Sequence, residues 1–268
     1  MTKLNKQRVL ITGGASGIGF LVAAGAIDKG ATVILWDIDE AALERATQTL
    51  GSNAHGYVVD ITDRHAVYAA ADRVREEIGV VDVLINNAGI VTGKPFLELP
   101  DEMIEKTFQV NTISHFWTAR AFLPDMLKRN RGHIVTIASA GGLVGVAKLA
   151  DYCASKFAAV GFDDALRAEL TKESPGVRTT VVMPFFINTG MFDGVKTRVP
   201  WLLPILDERD VAKKIIRGIE RNTQRLFLPG TVQPLLALKS LPTPIVDFMM
   251  TILGVNSTMD EFKGRSKD

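Results

Sequence analysis

Arg8-Val-Leu-Ile-Thr12-Gly13-Gly14-Ala15-Ser16-Gly17-Ile18-Gly19 is the stretch that decides how this chain folds. Residues 8–12 form a short apolar run, the pattern of a strand buried on both faces. A glycine-rich turn follows, and a helical pattern covers residues 20–29. Strand, glycine turn and helix in that order give the glycines a meaning that a lone cluster lacks. Glycine reaches positive φ and lets backbone N–H groups approach a ligand closely. The helix N-terminus adds a partial positive charge at the same place. Gly13, Ser16, Gly17, Ile18 and Gly19 are therefore candidate contacts to a dinucleotide pyrophosphate.

A second buried run, residues 32–36, ends at Asp37, about 18 residues past Gly19. A carboxylate there accepts hydrogen bonds from adenosine ribose hydroxyls and repels a 2′-phosphate. No Arg or Lys stands in the turn or just after Asp37, so NAD is favoured over NADP. The next acid, Asp39, suits the N-cap of a helix over residues 40–50.

The alternation continues. Strands are expected at residues 55–60, 80–85, 133–139, 177–183 and 226–228, and helices at 63–78, 101–129, 151–171 and 208–221. Buried strands alternating with helices imply an α/β, doubly wound parallel sheet of seven strands, here one domain over residues 1–268. Asp60 and the backbone at Ile61 end the third strand on the sheet edge where ligands of open α/β sheets collect. Asn86-Asn87-Ala88-Gly89 closes the fourth; small and amide residues suit a backbone passing close to a ligand, and equally suit a plain turn. Asn111 falls inside a long helical pattern, where an amide side chain invites a backbone interaction or a kink.

Ser139 ends the fifth strand, and Tyr152 and Lys156 stand four apart in the next helix, on one face. A lysine ammonium beside a phenol favours the phenolate. A hydroxyl, a tunable phenol and a cation make a proton-transfer site for an alcohol or carbonyl, although Tyr-x-x-x-Lys alone is also what an ordinary amphipathic helix presents. Cys153, the single cysteine, rules out an internal disulfide, fits a reducing compartment, and reads as a packed small residue.

Composition excludes several classes. The formal charge is +1, so no global field points to nucleic acid. The four histidines lack metal-ligand spacing, and no metal is expected. Residues 1–7 lack the apolar segment of a secretory leader, and no run of about eighteen apolar residues supports a spanning helix. A cytoplasmic protein is expected, with membrane association through the C-terminal extension as the alternative.

After Pro184 the character changes. Residues 184–206 are apolar, Pro-containing and irregular, carrying Phe185, Phe186, Phe192 and Trp201. Their place beyond a strand's carboxyl end makes them a candidate substrate lid or a packed connector. Residues 229–268 form an apolar extension broken by prolines, two short helices in outline. It could cover the substrate mouth, meet a partner subunit, lie on a membrane with Lys239 at the headgroups, or pack into the core.

Taken together, the glycine turn, Asp37, Asp60, Asn86-Asn-Ala-Gly89, Asn111, Ser139, Tyr152 and Lys156, in order, resemble the short-chain dehydrogenases/reductases over nearly the whole chain. Ile34-Leu-Trp-Asp-Ile38, Ala150-Asp-Tyr-Cys-Ala-Ser-Lys-Phe-Ala-Ala159, Pro184-Phe-Phe-Ile-Asn-Thr-Gly-Met-Phe192 and Thr258-Met-Asp-Glu-Phe-Lys-Gly-Arg265 look like the branch of retinol and lipid-droplet 17β-hydroxysteroid dehydrogenases. The resemblance implies a Rossmann-like domain and a catalytic set of Asn111, Ser139, Tyr152 and Lys156. It implies cofactor contacts at Asn87, Ala88, Gly89, Tyr152, Lys156, Pro184, Ile187 and Thr189, and a homodimer or homotetramer. The expected activity interconverts an apolar alcohol and its carbonyl with NAD; a 3-oxoacyl thioester reductase and a non-catalytic NAD-binding scaffold are the alternatives.

Overall fold

The computed structural model describes residues 1–238 and 240–264. Lys239, read above as a possible headgroup contact, and Arg265 lie outside the described residues. Seven strands, β1 (Arg8–Thr12), β2 (Thr32–Asp37), β3 (Ala54–Val58), β4 (Val83–Asn86), β5 (Gly132–Ile137), β6 (Val177–Pro184) and β7 (Arg225–Leu228), form one sheet in the order β3-β2-β1-β4-β5-β6-β7. Every pairing is parallel. A parallel sheet is buried on both faces, which is why β1 and β4 carry consecutive apolar residues with almost no exposure. Successive residues serve opposite layers: Val9 and Ile11 pack with one core, Leu10 with the other.

Helices α1 (Gly17–Ile27), α2 (Glu40–Leu50) and α7 (Glu208–Arg221) cover one face. Helices α3 (Arg64–Glu77), α5 (Ser114–Lys128) and α6 (Ala150–Glu173) cover the other. The chain reverses direction across the sheet between β1 and β4, so their carboxyl ends open a crevice suited to a dinucleotide. Asp39 accepts the Ala42 N–H at 2.9 Å and caps α2, as its position suggests.

Two differences from the sequence pattern bear on the site. The third strand stops at Val58, leaving Asp60 exposed beyond it, with Oδ1 accepting from the Thr62 N–H and hydroxyl. The helix expected over 101–129 is broken: α4 (Asp101–Phe108) passes into a π-helical segment, Gln109–Ile113, before α5. Asn111 lies within that segment, and π-bulges are frequent at functional sites.

The extension folds as α8 (Leu235–Leu238) and α9 (Thr243–Ile252). Met250 of α9 is buried, while Ile245, Phe248 and Ile252 face outward. No helix among the described residues is long and apolar enough to cross a membrane.

On α6, Asp163 is 1% exposed against β6, where the Thr179 hydroxyl donates to it at 3.2 Å. Burial pushes its carboxyl up to about 7, against an ordinary 3.8. Between those values the folded chain holds a proton that the unfolded chain has lost, so stability falls as pH rises through that window and is flat above it. Asp163→Asn keeps the shape and removes the ionisation. Urea unfolding should show the variant gaining on the native chain by roughly 1 kcal/mol for each pH unit in the window. An equal difference at pH 5 and pH 8 would contradict this.

Candidate active site

The glycine turn is built as a cradle. Gly13 and Gly17 have φ of +62° and +53°. A Cβ at Gly13 would lie 2.9 Å from the Ala88 Cα, and one at Gly19 would run into the Gly13 carbonyl. Gly17 differs: a Cβ there would meet only Thr189 Cβ, at 3.9 Å. Its backbone therefore faces an open cleft whose far wall is the segment after β6. The Ser16 side chain makes no capping hydrogen bond to α1, so the first-turn N–H groups keep the anion-binding capacity of a helix N-terminus.

Thr12, the last residue of β1, locks this cradle to β4. Its hydroxyl accepts the Asn87 and Ala88 N–H groups at 3.0 and 3.1 Å. Asn87 replies with its side-chain amide, donating to the Thr12 and Gly13 carbonyls at 2.9 and 3.1 Å. Both amide protons of Asn87 thus shape the turn. Asp37 stands at the end of β2, its Oδ2 accepting the Ala15 N–H at 3.1 Å and its Oδ1 those of Ile38 and Asp39. A cradle with one unobstructed glycine, a free helix N-terminus and a carboxylate at the β2 end fits a dinucleotide. Gly13, Ser16, Gly17, Ile18 and Gly19 would hold its pyrophosphate and Asp37 its adenosine ribose. Ile61 is buried just past Asp60, and Ile187 is bridged to Leu206.

Across the crevice the four expected catalytic side chains come together. The π segment turns buried Asn111 toward the loop after β4. There its Oδ1 accepts the Ile90 N–H at 2.8 Å, and its Nδ2 donates to the Ile90 carbonyl and to Ser155 Oγ, each at 3.0 Å. A Cβ added at Gly89 would lie 3.4 Å from Asn111 Oδ1 and 3.5 Å from Lys156 Nζ. Lys156 is buried, donates to the Ile137 carbonyl at 2.9 Å, and sits 5.7 Å from the Tyr152 ring centroid. Ser139 begins a short 3₁₀ turn; its hydroxyl accepts the Gly141 N–H at 3.0 Å and lies 3.4 Å from the Pro184 carbonyl, to which it donates.

Burial dominates the electrostatics. It pushes the Tyr152 phenol above its ordinary value, and the neighbouring Ser139 hydroxyl pulls it part of the way back. Burial alone lowers the Lys156 ammonium to about 8. The spacing predicts that the lysine lowers the phenol; instead the Lys156 ammonium is turned to the Ile137 carbonyl, and burial sets the direction at Tyr152. Burial also raises the Cys153 thiol to about 11, which keeps it inert as a packed residue.

Tyr152 and Ser139 form the polar end of a cavity of about 240 Å³. Phe185, Phe186 and Phe192 line it as expected. Phe192 stands edge-on to Tyr152 with centroids 5.7 Å apart. Trp201 does not line it: the residue is 81% exposed. A turn in which the Leu202 and Leu203 N–H groups both bond the Val199 carbonyl sends those two leucines inward and the indole out. The rest of the wall was not foreseen residue by residue. Val144, Val146 and Leu149 come from the segment between Ser139 and Tyr152, and Leu238, Met249, Met250 and Leu253 from the extension.

A parallel sheet with the 3-2-1-4-5-6-7 order, a glycine cradle at its switch point and a Ser–Tyr–Lys set across it define a nucleotide-dependent oxidoreductase. Residues 7–199 match the short chain dehydrogenase family. The chain belongs to that family. It is 44% identical over 265 residues to mouse epidermal retinol dehydrogenase 2, covering 97% of this chain and 86% of that one. To mouse estradiol 17-beta-dehydrogenase 11 it is 44% identical over 237 residues, 87% of this chain and 78% of that one. A solved short chain dehydrogenase/reductase from Burkholderia phymatum in complex with NAD superposes with a TM-score of 0.81 at 25% identity, covering 93% and 97% of the two chains.

Proposed function

We propose that this chain interconverts an apolar alcohol and its aldehyde or ketone, using NAD in preference to NADP. The observation that carries the reading is the apolar cavity ending on Ser139 and Tyr152: Thr231 is the one other polar side chain among its described lining residues. Burying an apolar chain along such a wall orients its single oxygen toward the two hydroxyls. Relatives named as retinol and estradiol dehydrogenases support a retinoid, a steroid or a long-chain aliphatic alcohol as the substrate.

In the oxidative direction Ser139 holds the substrate oxygen and Tyr152 takes its hydroxyl proton. Lys156, fixed by Ile137, favours the charged phenolate while that proton moves, and Asn111 holds the loop bearing Gly89 against this pair. When bound, NAD supplies the hydride acceptor. Reduction follows the same path in reverse.

The experiment is a panel of retinoid, steroid, long-chain and short-chain alcohols and carbonyls with either cofactor. Turnover concentrated on the apolar members, with NAD, is expected. Activity confined to short polar alcohols or to acyl thioesters would sink the substrate reading. Complete inertness, matched by the Tyr152→Phe variant, would turn the reading to an NAD-binding scaffold.

A further inference from the structure

The segment Thr258-Met259-Asp260-Glu261-Phe262 has no part in the chemistry above, yet it is fitted against two separate loops. Met259 is 1% exposed and anchors the segment among the cavity-wall residues. From that anchor, Lys196 N–H bonds the Thr258 carbonyl at 3.3 Å, and Lys263 N–H bonds the Asp193 carbonyl at 2.9 Å. Two glycines in different loops leave room for the segment. Gly194 has φ of +84°, and a Cβ there would run into the Glu261 carbonyl; Gly93 has φ of +70°, and a Cβ there would run into the Phe262 ring. Both positions favour glycine by backbone conformation and by space.

Phe262 joins the two sides of the catalytic tyrosine. On the substrate side its ring lies 6.4 Å from Phe192, which stands edge-on to Tyr152. On the other side it lies against Gly93, in the loop that follows β4. The preceding residue, Thr92, donates to Asp151 Oδ2 at 2.7 Å, and Asp151 directly precedes Tyr152. Thr107 of α4 donates to the same oxygen at 3.0 Å. Contacts therefore run from one ring, by two routes, to the residue that moves the proton.

We infer that Phe262 is a positioning residue that holds Phe192 and the 90–94 loop in register about Tyr152, and that it sets the preference for apolar substrates. The second half rests on the alcohol-oxidoreductase reading above; the first does not. The surface pairs Lys148–Asp260 and Lys196–Glu261, at 2.8 and 2.6 Å, are solvent-exposed and contribute little. The ring is the part that acts.

Three variants test this: Phe262→Ala, Phe262→Leu, and the double variant Asp260→Asn/Glu261→Gln. Hydrogen exchange reads the positioning without any substrate. In Phe262→Ala, amides of both 90–94 and 192–196 should exchange at least about tenfold faster, with those of β1 to β4 unchanged. The KM for the best apolar alcohol should rise about tenfold, while NADH affinity stays within about threefold. Phe262→Leu should recover most of both effects, and the double variant should show neither. Unchanged exchange at either loop, or the same changes in the double variant, overturns the positioning role. Faster exchange at both loops with unaltered preference between long and short alcohols overturns the specificity role alone. A native chain inert on every alcohol would defeat the apolar-alcohol reading and the specificity role built on it; the exchange result would still decide the positioning role.

Discussion

On the proposed mechanism, replacing Tyr152 by Phe is expected to lower kcat by about 10³-fold or more and to leave NADH binding within about threefold. The substitution removes one oxygen. The ring keeps its edge-on packing against Phe192 and its place in the buried cluster of residues that forms the cavity wall. Nothing in the glycine cradle, at Asp37 or at Asn87 touches that oxygen, so cofactor binding is spared. What is lost is the group that the proposed mechanism uses to exchange a proton with the substrate, and positioned acid–base groups contribute about 10² to 10⁴ in rate. The pH profile follows from the buried pair. A neutral Tyr152 beside a charged Lys156 must lose one proton to become a base, and the loss belongs to the pair rather than to either residue. Burial holds the phenol up and brings the ammonium to about 8. The oxidation rate should therefore rise with pH as the site gives up that proton, and the reduction rate should fall over the same range. Stopped-flow or steady-state rates between pH 6 and pH 10 read this directly. Tyr152→Phe retaining a tenth of native turnover would remove the tyrosine from its role.

The second large effect is on cofactor choice. A 2′-phosphate placed about 4 Å from the Asp37 carboxylate meets a repulsion of roughly 4 kcal/mol at an effective dielectric near 20, about 10³-fold in affinity. Asp37→Asn removes the charge and keeps one acceptor oxygen, which can still take the Ile38 and Asp39 N–H groups while the Ala15 N–H loses its acceptor. The NAD-to-NADP ratio of kcat/KM should be at least about 100 for the native chain and should fall to within tenfold of unity in Asp37→Asn. Adding Ile38→Arg, at a 66% exposed position beside it, should carry the ratio past unity in favour of NADP. A native preference for NADP would contradict the part given to Asp37. An Asp37→Asn ratio still near 100 would show that shape rather than charge discriminates.

The nucleotide half of this site was legible in the sequence because its parts are short-range. β1, the glycine turn and α1 are contiguous, and Asp37 closes the next strand, so periodicity and glycine placement locate them without tertiary information. Asn111 gave a partial signal: an amide in mid-helix pointed to a disturbance, but only the fold shows a π segment aimed at Ile90. The substrate half was less legible. Which side of an irregular turn faces inward has no period to read, so Trp201 looked as suitable as its neighbours, whereas Leu202 and Leu203 are the ones inside. The wall supplied by Met249, Met250 and Leu253 meets Tyr152 from about a hundred residues away, and no local pattern announces that contact. The electrostatics also depended on burial: spacing alone had the lysine lowering the phenol, and a dry site raises it instead.

The most direct test follows the hydrogen itself. A long-chain or retinoid alcohol deuterated at the carbinol carbon is incubated with the protein and NAD, and the cofactor is examined by mass spectrometry. Deuterium appearing in the nicotinamide ring with the native chain, and absent with Tyr152→Phe, is the predicted result. No label in the cofactor from any apolar alcohol, or equal label from the variant, would contradict hydride transfer at Tyr152.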